Sequence, residues 1–197
     1  MRILLIVAWL FVGLGGVIYH FGPGQDQMEI DRIDQMLKQA RASLVAEEWA
    51  DAIEQFDEVL AELPAERKTE AQGLMLEKAK AQMMAAQLPE AREALATLLQ
   101  DIRQSDSADP AFVAEVQATL ANSQYYMTWL MRREGLPEEE WMPEIEAARQ
   151  HYTQLTKTAK KLGDSEMARK SAEDLEASIR LARMDLSELQ GLPLPSQ

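Results

Sequence analysis

The sequence predicts an all-α fold, and three of its features support this prediction. Residues 26–190 are rich in Ala, Leu, Glu, Gln, Arg and Met, which are strong helix formers. Apolar residues recur there every three or four positions, and the runs of β-branched residues that strands require are missing. Five of the nine glycines lie in the first 24 residues, so breaks are few in the remainder. We therefore expect long helices joined by short turns.

The first predicted element is an uncharged, apolar segment over residues 3–21. As a helix it would be about 28 Å long, close to the roughly 30 Å hydrocarbon core of a bilayer. Arg2 precedes this segment and acidic residues follow it, which predicts that the N-terminus is cytoplasmic. We predict a transmembrane signal anchor over residues 1–21, which contacts the lipid bilayer through residues 3–21, and a hinge over residues 22–27.

A cleaved signal peptide is the alternative for this segment. The small residues Gly13, Gly15 and Gly16 follow a ten-residue apolar run and offer a cleavage site, although the apolar pattern continues past them to Phe21. The anchor predicts a single-pass membrane protein whose helical domain is displayed outside the cytoplasm, in a bacterial periplasm. The signal peptide predicts a secreted protein.

Seven helices are predicted within the helical domain, residues 28–190. Pro64 ends the second helix, and Pro89 begins the fourth at a first-turn position, where its missing N–H is not needed. Asp109 and Asp164 cap the fifth helix and the last one. The predicted helices cover about 28–44, 48–63, 65–86, 88–102, 110–133, 138–163 and 165–189, and a flexible tail covers 191–197. The inward faces of the third and fourth helices are predicted to include Leu74, Met75, Ala79, Met83, Ala91, Ala94, Leu95, Leu98, Leu99 and Ile102.

Two segments 39 residues apart resemble the second helix of a tetratricopeptide repeat (TPR), a helical hairpin that recurs in tandem. Residues 48–60 read EWADAIEQFDEVL and residues 87–95 read QLPEAREAL. Each has an Ala at the small position where the two helices cross, and Phe or Leu four residues later where the family has an aromatic residue. Upstream of each, an Ala stands where the first helix of the family has its glycine. The residues predicted to pack the repeats are Ala40, Ala52, Phe56, Ala79, Ala91 and Leu95.

The resemblance implies a right-handed stack of about three helical hairpins followed by a long C-terminal helix. A weaker third unit would pair Leu120 and Ala121 with Ala148 and Tyr152. Other residues replace the Trp, Leu and Tyr of the family's first helix, so the pattern holds best over residues 33–100. A helical bundle unrelated to the repeat family is the alternative.

The composition argues against several classes of function. With 33 acidic and 20 basic residues the formal net charge is −13, whereas a nucleic-acid binder needs a basic surface. Cys is absent, only two His are present, and neither a phosphate-binding glycine loop nor a nucleophile elbow occurs. We therefore expect no nucleic-acid partner, no cofactor, no metal and no enzymatic activity. A pair of carboxylates in a cleft is the remaining catalytic alternative.

The fifth predicted helix carries the side chains best suited to binding. Asn122, Tyr126, Trp129 and Arg133 recur every three or four residues, and Tyr125 lies beside them. Tyr and Trp are frequent anchors of protein interfaces. We predict a protein-binding site formed by these five residues. In the alternative interpretation, the aromatic residues pack beneath the neighbouring hairpins.

Other charged residues are weaker candidates. TPR stacks bind peptides in a concave groove lined by the first helix of each pair, and Lys78 and Lys80 would be its cations. Because Asn122 is the only Asn in the chain, a carboxylate clamp built from several asparagines is not supported. Residues 138–140 are three glutamates that suit a helix start, and His151 lacks the spacing of a metal ligand. The basic residues of the last two helices are interspersed with acids, which favours a solvated face.

The function predicted from these observations is a non-catalytic, membrane-anchored adaptor of the TPR type that binds another protein. The alternative is a structural subunit of a permanent membrane-associated complex. In that case the aromatic stripe of the fifth helix would be covered only within the assembly.

Overall fold

The structure, a computed structural model, describes residues 23–105 and 108–190. Within these residues the chain forms eight α-helices and no strand. They are α1 (Pro23–Val45), α2 (Trp49–Glu62), α3 (Lys68–Met84), α4 (Leu88–Arg103), α5 (Pro110–Arg133), α6 (Glu138–Leu162), α7 (Ser165–Arg183) and α8 (Leu186–Gln190). The all-α prediction is confirmed. Helix α1 packs against α2, and the consecutive helices from α3 to α7 pack against one another, as in helical-repeat folds.

The chain divides into two compact units between Arg67 and Lys68, within the segment 28–190 that was predicted as one domain. The described part of the first unit is the pair α1 and α2, and the second unit contains α3 to α8. The division follows the end of α2, where Leu63 is extended and Pro64 comes next. A helix does not continue through such a residue, because proline disfavours the helical conformation of the residue before it.

Two helix boundaries differ from the sequence prediction. The first helix begins at Pro23, inside the segment 22–27 where we expected a hinge. The last long helix was expected to reach Leu189 but ends at Arg183. The reason is a capping box: the carboxylate of Asp185 accepts the N–H of Glu188 at 2.9 Å, and the Glu188 carboxylate accepts the N–H of Asp185 at 3.2 Å. These bonds start the separate helix α8.

The predicted membrane anchor, residues 1–21, and the predicted tail, residues 191–197, lie outside the described residues. Among the described helices, none is both long enough and apolar enough to span a bilayer.

The six residues predicted to pack the repeats are all buried, each being at most 1% exposed. In the second unit, Ala79, Ala91 and Leu95 belong to one apolar cluster with Leu98 and Ile102. Two other predicted inward residues differ, since Met75 is 43% exposed and Ala94 is also exposed. Helical periodicity identifies an apolar stripe, but its width depends on how the neighbouring helix lies across it.

The same backbone turn follows α1, α3, α5 and α6. Each turn has a residue with positive φ, namely Glu47 (60°), Ala86 (61°), Gly135 (76°) and Gly163 (73°). In each turn the next residue donates its N–H to the carbonyl five residues earlier, the bond of a Schellman motif. These bonds are Glu48 to Ser43 at 2.9 Å, Gln87 to Gln82 at 2.8 Å, Leu136 to Met131 at 3.0 Å and Asp164 to Ala159 at 3.0 Å. The first two turns are offset by 39 residues, as are the two repeat-like segments.

Candidate binding groove

A groove of about 450 Å³ opens in the second unit between α3, α5 and α7. Its volume lies in the range of sites that bind small ligands or a few side chains. Residues from α5 line much of it, with further residues from α3 and α7, and Tyr152 of α6 completes the lining. If the helices are paired as α3 with α4 and α5 with α6, then α3, α5 and α7 are the first helices of successive pairs.

The α5 wall consists of Thr119 and three of the five predicted site residues, Asn122, Tyr125 and Tyr126. Residues three and four positions apart share one face of a helix, so Asn122 and both tyrosines meet the groove together. On the core side of the same helix, Val116 and Leu120 are buried. The tyrosine rings lie edge to face, with centroids 5.8 Å apart and planes at 80°. This arrangement is favourable for aromatic pairs.

Tyr152 of α6 also lines the groove, although only 2% of the residue is exposed. Its hydroxyl donates a hydrogen bond of 2.8 Å to Oδ1 of Asn122. Burial raises the pKa of the Tyr152 hydroxyl well above its ordinary value. The hydroxyl therefore stays protonated at neutral pH and remains a hydrogen-bond donor.

The α7 wall contributes Lys170 and Asp174, one helical turn apart. Asp174 is partly buried, and this burial raises the pKa of its carboxyl, while Lys170 acts in the opposite direction and Glu173 adds to the rise. In the described part of the chain, no hydrogen bond or ion pair satisfies the Asp174 carboxylate. Asp174 is thus an acceptor in the groove wall that is available to a ligand.

The α3 wall combines a cation with two thioethers. The ammonium group of Lys80 forms an exposed ion pair of 2.6 Å with Glu115 of α5. Met83 and Met84 lie beside it, and Met84 is 44% exposed. Methionine adapts its shape to different apolar ligands. The predicted groove cation Lys78 does not belong to this lining.

The other two predicted site residues lie outside the groove. Trp129 is 2% exposed and packs with Trp141, Leu181 and Leu189, so it belongs to the core. The guanidinium of Arg133 lies 5.0 Å from the centroid of the Trp129 ring, on the surface. We expected one binding face along α5. Instead α6, α7 and α8 cover its C-terminal part, and only its middle part faces the groove.

Sequence reasoning did not single out Asp174, Met83 or Met84 as site residues. Asp174 looked like one more acid in a mixed charged face, and Met83 like an ordinary core residue. Their helices, α3 and α7, line the same groove only because of tertiary packing, and periodicity within one helix gives no signal for this arrangement.

The weaker candidates occupy ordinary positions. The glutamates at 138–140 are exposed in the first turn of α6, where acids suit the helix dipole. Burial and the nearby Arg103 lower the pKa of His151. Among the residues that the structure describes, no group of three or more His, Asp or Glu side chains could hold a metal ion.

Comparison with known proteins identifies no family for this chain. No protein-family model matches the sequence, and no curated protein is significantly similar to it. The fold is therefore characterised by its helical architecture, which is consistent with a helical-repeat fold.

Proposed function

We propose that this chain is a non-catalytic, membrane-anchored adaptor of the TPR type, whose groove binds a segment of another protein. The observation that supports this proposal best is the position of the groove. It opens between α3, α5 and α7, the helices that would line the concave surface of a stack of hairpins. The TPR resemblance implies that this surface is the one that receives a partner.

The chemistry of the lining supports the same proposal. Tyr125, Tyr126 and Met84 offer apolar surface together with hydroxyl groups, and aromatic residues and Met are enriched at protein interfaces. Lys80, Lys170 and Asp174 supply charged groups in the lining. An extended or helical segment could place a few side chains into a groove of this volume.

The anchor completes the proposal. Residues 1–21 would hold the protein in the bilayer, with its N-terminus in the cytoplasm and its helices in the periplasm. Extraction of membranes at alkaline pH tests this part. The full chain should stay with the membranes, and a variant lacking residues 1–21 should be released. Release of the full chain, with its N-terminus shortened, would instead indicate a secreted protein.

Two methionines of α3 give a matched test of the groove. Met84 lines it and Met75 does not, although the two are almost equally exposed, at 44% and 43%. A photo-cross-linking amino acid is placed at position 84 or at position 75 of the full chain. The protein is produced in the cells in which it naturally occurs, and cross-linking is carried out there. The proposal predicts that one defined protein cross-links at position 84 and not at 75, and that Tyr126→Ala abolishes this product. Equal cross-linking at both positions would contradict it.

A further inference from the structure

We propose that the groove contains a subsite for an organic cation, formed by Tyr125, Tyr126 and Asp174. The occupant is the arginine side chain of a partner segment. The identity of this occupant rests on the proposed function, whereas the subsite itself rests on the geometry of the groove.

The two tyrosines supply the aromatic part of the subsite. Their rings are 5.8 Å apart and nearly perpendicular, and both line the groove. A cation over the face of a tyrosine ring is attracted by its π electrons, and the attraction grows where water is excluded. Guanidinium stacks on such rings more readily than ammonium does, because it is planar and weakly hydrated.

Asp174 supplies the counter-ion. It lines the groove, is partly buried, and makes no hydrogen bond or ion pair in the described part of the chain. The same groove lining contains Tyr125, Tyr126 and Tyr152. Burial raises the pKa of each of these hydroxyls and the charge of Asp174 adds to the rise, whereas Arg180 lowers the pKa of Tyr125. Partial removal of water from a carboxylate costs free energy when no cation is bound nearby. A bound cation offsets this cost.

The lysines of the groove do not satisfy this carboxylate. Lys80 is held by Glu115 at 2.6 Å. Lys170 is exposed and, although it lowers the pKa of Asp174, forms no ion pair with it within 4 Å in the described residues. Asp174 is the more buried of the two charged groove residues on α7, and it lines the groove together with the tyrosines. The partly buried charge of the subsite is therefore negative, and in a chain of net charge −13 it favours a cation.

The test uses the full chain in detergent micelles, with ¹³C-methyl methionine as the NMR reporter. Met83 and Met84 line the groove, and Met75 serves as the internal control. The probes are N-acetylarginine amide, N-acetylcitrulline amide, which has the same shape without the charge, and N-acetylglutamate amide. We expect the arginine probe to shift the Met83 and Met84 signals and to bind at least about fivefold more tightly than the citrulline probe.

Variants of two neighbouring acids locate the counter-ion. Asp174→Asn should reduce affinity for the arginine probe about fivefold, to the level of the citrulline probe. Glu173→Gln makes the same charge change one residue away, at an exposed side chain that pairs with Arg169, and should change affinity by less than about twofold. Tyr126→Leu should also weaken binding of the arginine probe. Far-ultraviolet circular dichroism shows whether each variant is folded.

Three results would overturn the inference: equal affinity for the arginine and citrulline probes, tighter binding of the glutamate probe, or no shift with any probe. None of these changes the expected cross-linking at position 84, so failure of the cation subsite and failure of the adaptor proposal can be told apart.

The arginine probe should also lower the pKa of Asp174, measured by titrating its carboxyl carbon. A pKa that does not change would contradict direct contact.

Discussion

The hydroxyl of Tyr152 donates a hydrogen bond of 2.8 Å to Oδ1 of Asn122, and this bond joins α6 to α5 beneath the groove. Asn122 is the only asparagine in the chain. Tyr152 is almost completely buried, and its hydrogen bond fixes the orientation of the Asn122 side chain. The bond therefore connects a residue of the groove wall to the buried interface between α5 and α6.

Loss of this bond should destabilise the protein. Tyr152→Phe removes the donor and leaves the Asn122 oxygen without its partner, which should lower the free energy of unfolding by about 1 kcal/mol. Tyr125→Phe is the control, because the Tyr125 hydroxyl makes no hydrogen bond in the described part of the chain. Urea denaturation followed by circular dichroism measures both. Equal losses in the two variants would show that the bond contributes nothing specific.

The turn after α3 is strained, and glycine should relieve it. Ala86 has φ of 61°, a left-handed conformation that is unfavourable for a residue with a Cβ atom. Ala86→Gly should therefore raise the free energy of unfolding by about 0.5–1 kcal/mol. Ala96→Gly, the same change at an exposed position inside α4, should lower it by about 1 kcal/mol. Thermal unfolding measures the change in stability of each variant relative to wild type. A change of the same sign in both variants would contradict the prediction.

The buried alanine of the second repeat-like segment should not tolerate a larger side chain. Ala91 is fully buried, so Ala91→Leu forces extra methyl groups into a filled space and should destabilise by about 1–3 kcal/mol. Ala94→Leu, three residues along the same helix but exposed, should change stability by less than about 0.5 kcal/mol. Destabilisation by both variants alike would mean that Ala91 does not lie at a close helix crossing.

Acid should weaken the fold through His151. Burial and the positive charge of Arg103 lower the pKa of this side chain in the folded protein, and its Nδ1 is buried without a hydrogen-bond partner. The unfolded chain, in which His has a pKa of about 6.5, then binds the proton more tightly. Stability is therefore fully present above pH 6.5 and is lost as the pH falls through the lower folded value.

The comparison of wild type with His151→Gln isolates this effect. Melting temperatures are measured between pH 7.5 and pH 5.5 in both proteins. Wild type should lose more stability over this interval than the variant. Asp174 has the opposite effect on the pH dependence of stability, because burial raises the pKa of its carboxyl. Since Asp174 is present in both proteins, its effect cancels in the comparison. Parallel curves would contradict the assignment to His151.

Local signals allowed most helix boundaries to be predicted. Asp109 and Asp164 cap α5 and α7 as predicted, with their carboxylates accepting the N–H groups of Ala111 and Met167. The break before α8 was missed, although Asp185 and Glu188 have the spacing of a capping box. The sequence prediction instead continued the last helix to residue 189 without a break.

By itself, the sequence determined the helical class and the buried alanines of the two repeat-like segments, because these depend on residues close together in the chain. Only the tertiary structure decided which part of α5 is accessible. The spacing of Tyr126 and Trp129 is that of one helix face, yet one lines a groove and the other is buried against Trp141 and Leu181. Tertiary packing also placed Asp174 of α7 beside the tyrosines of α5. Such contacts join residues about fifty positions apart, and no periodicity within a single helix encodes them.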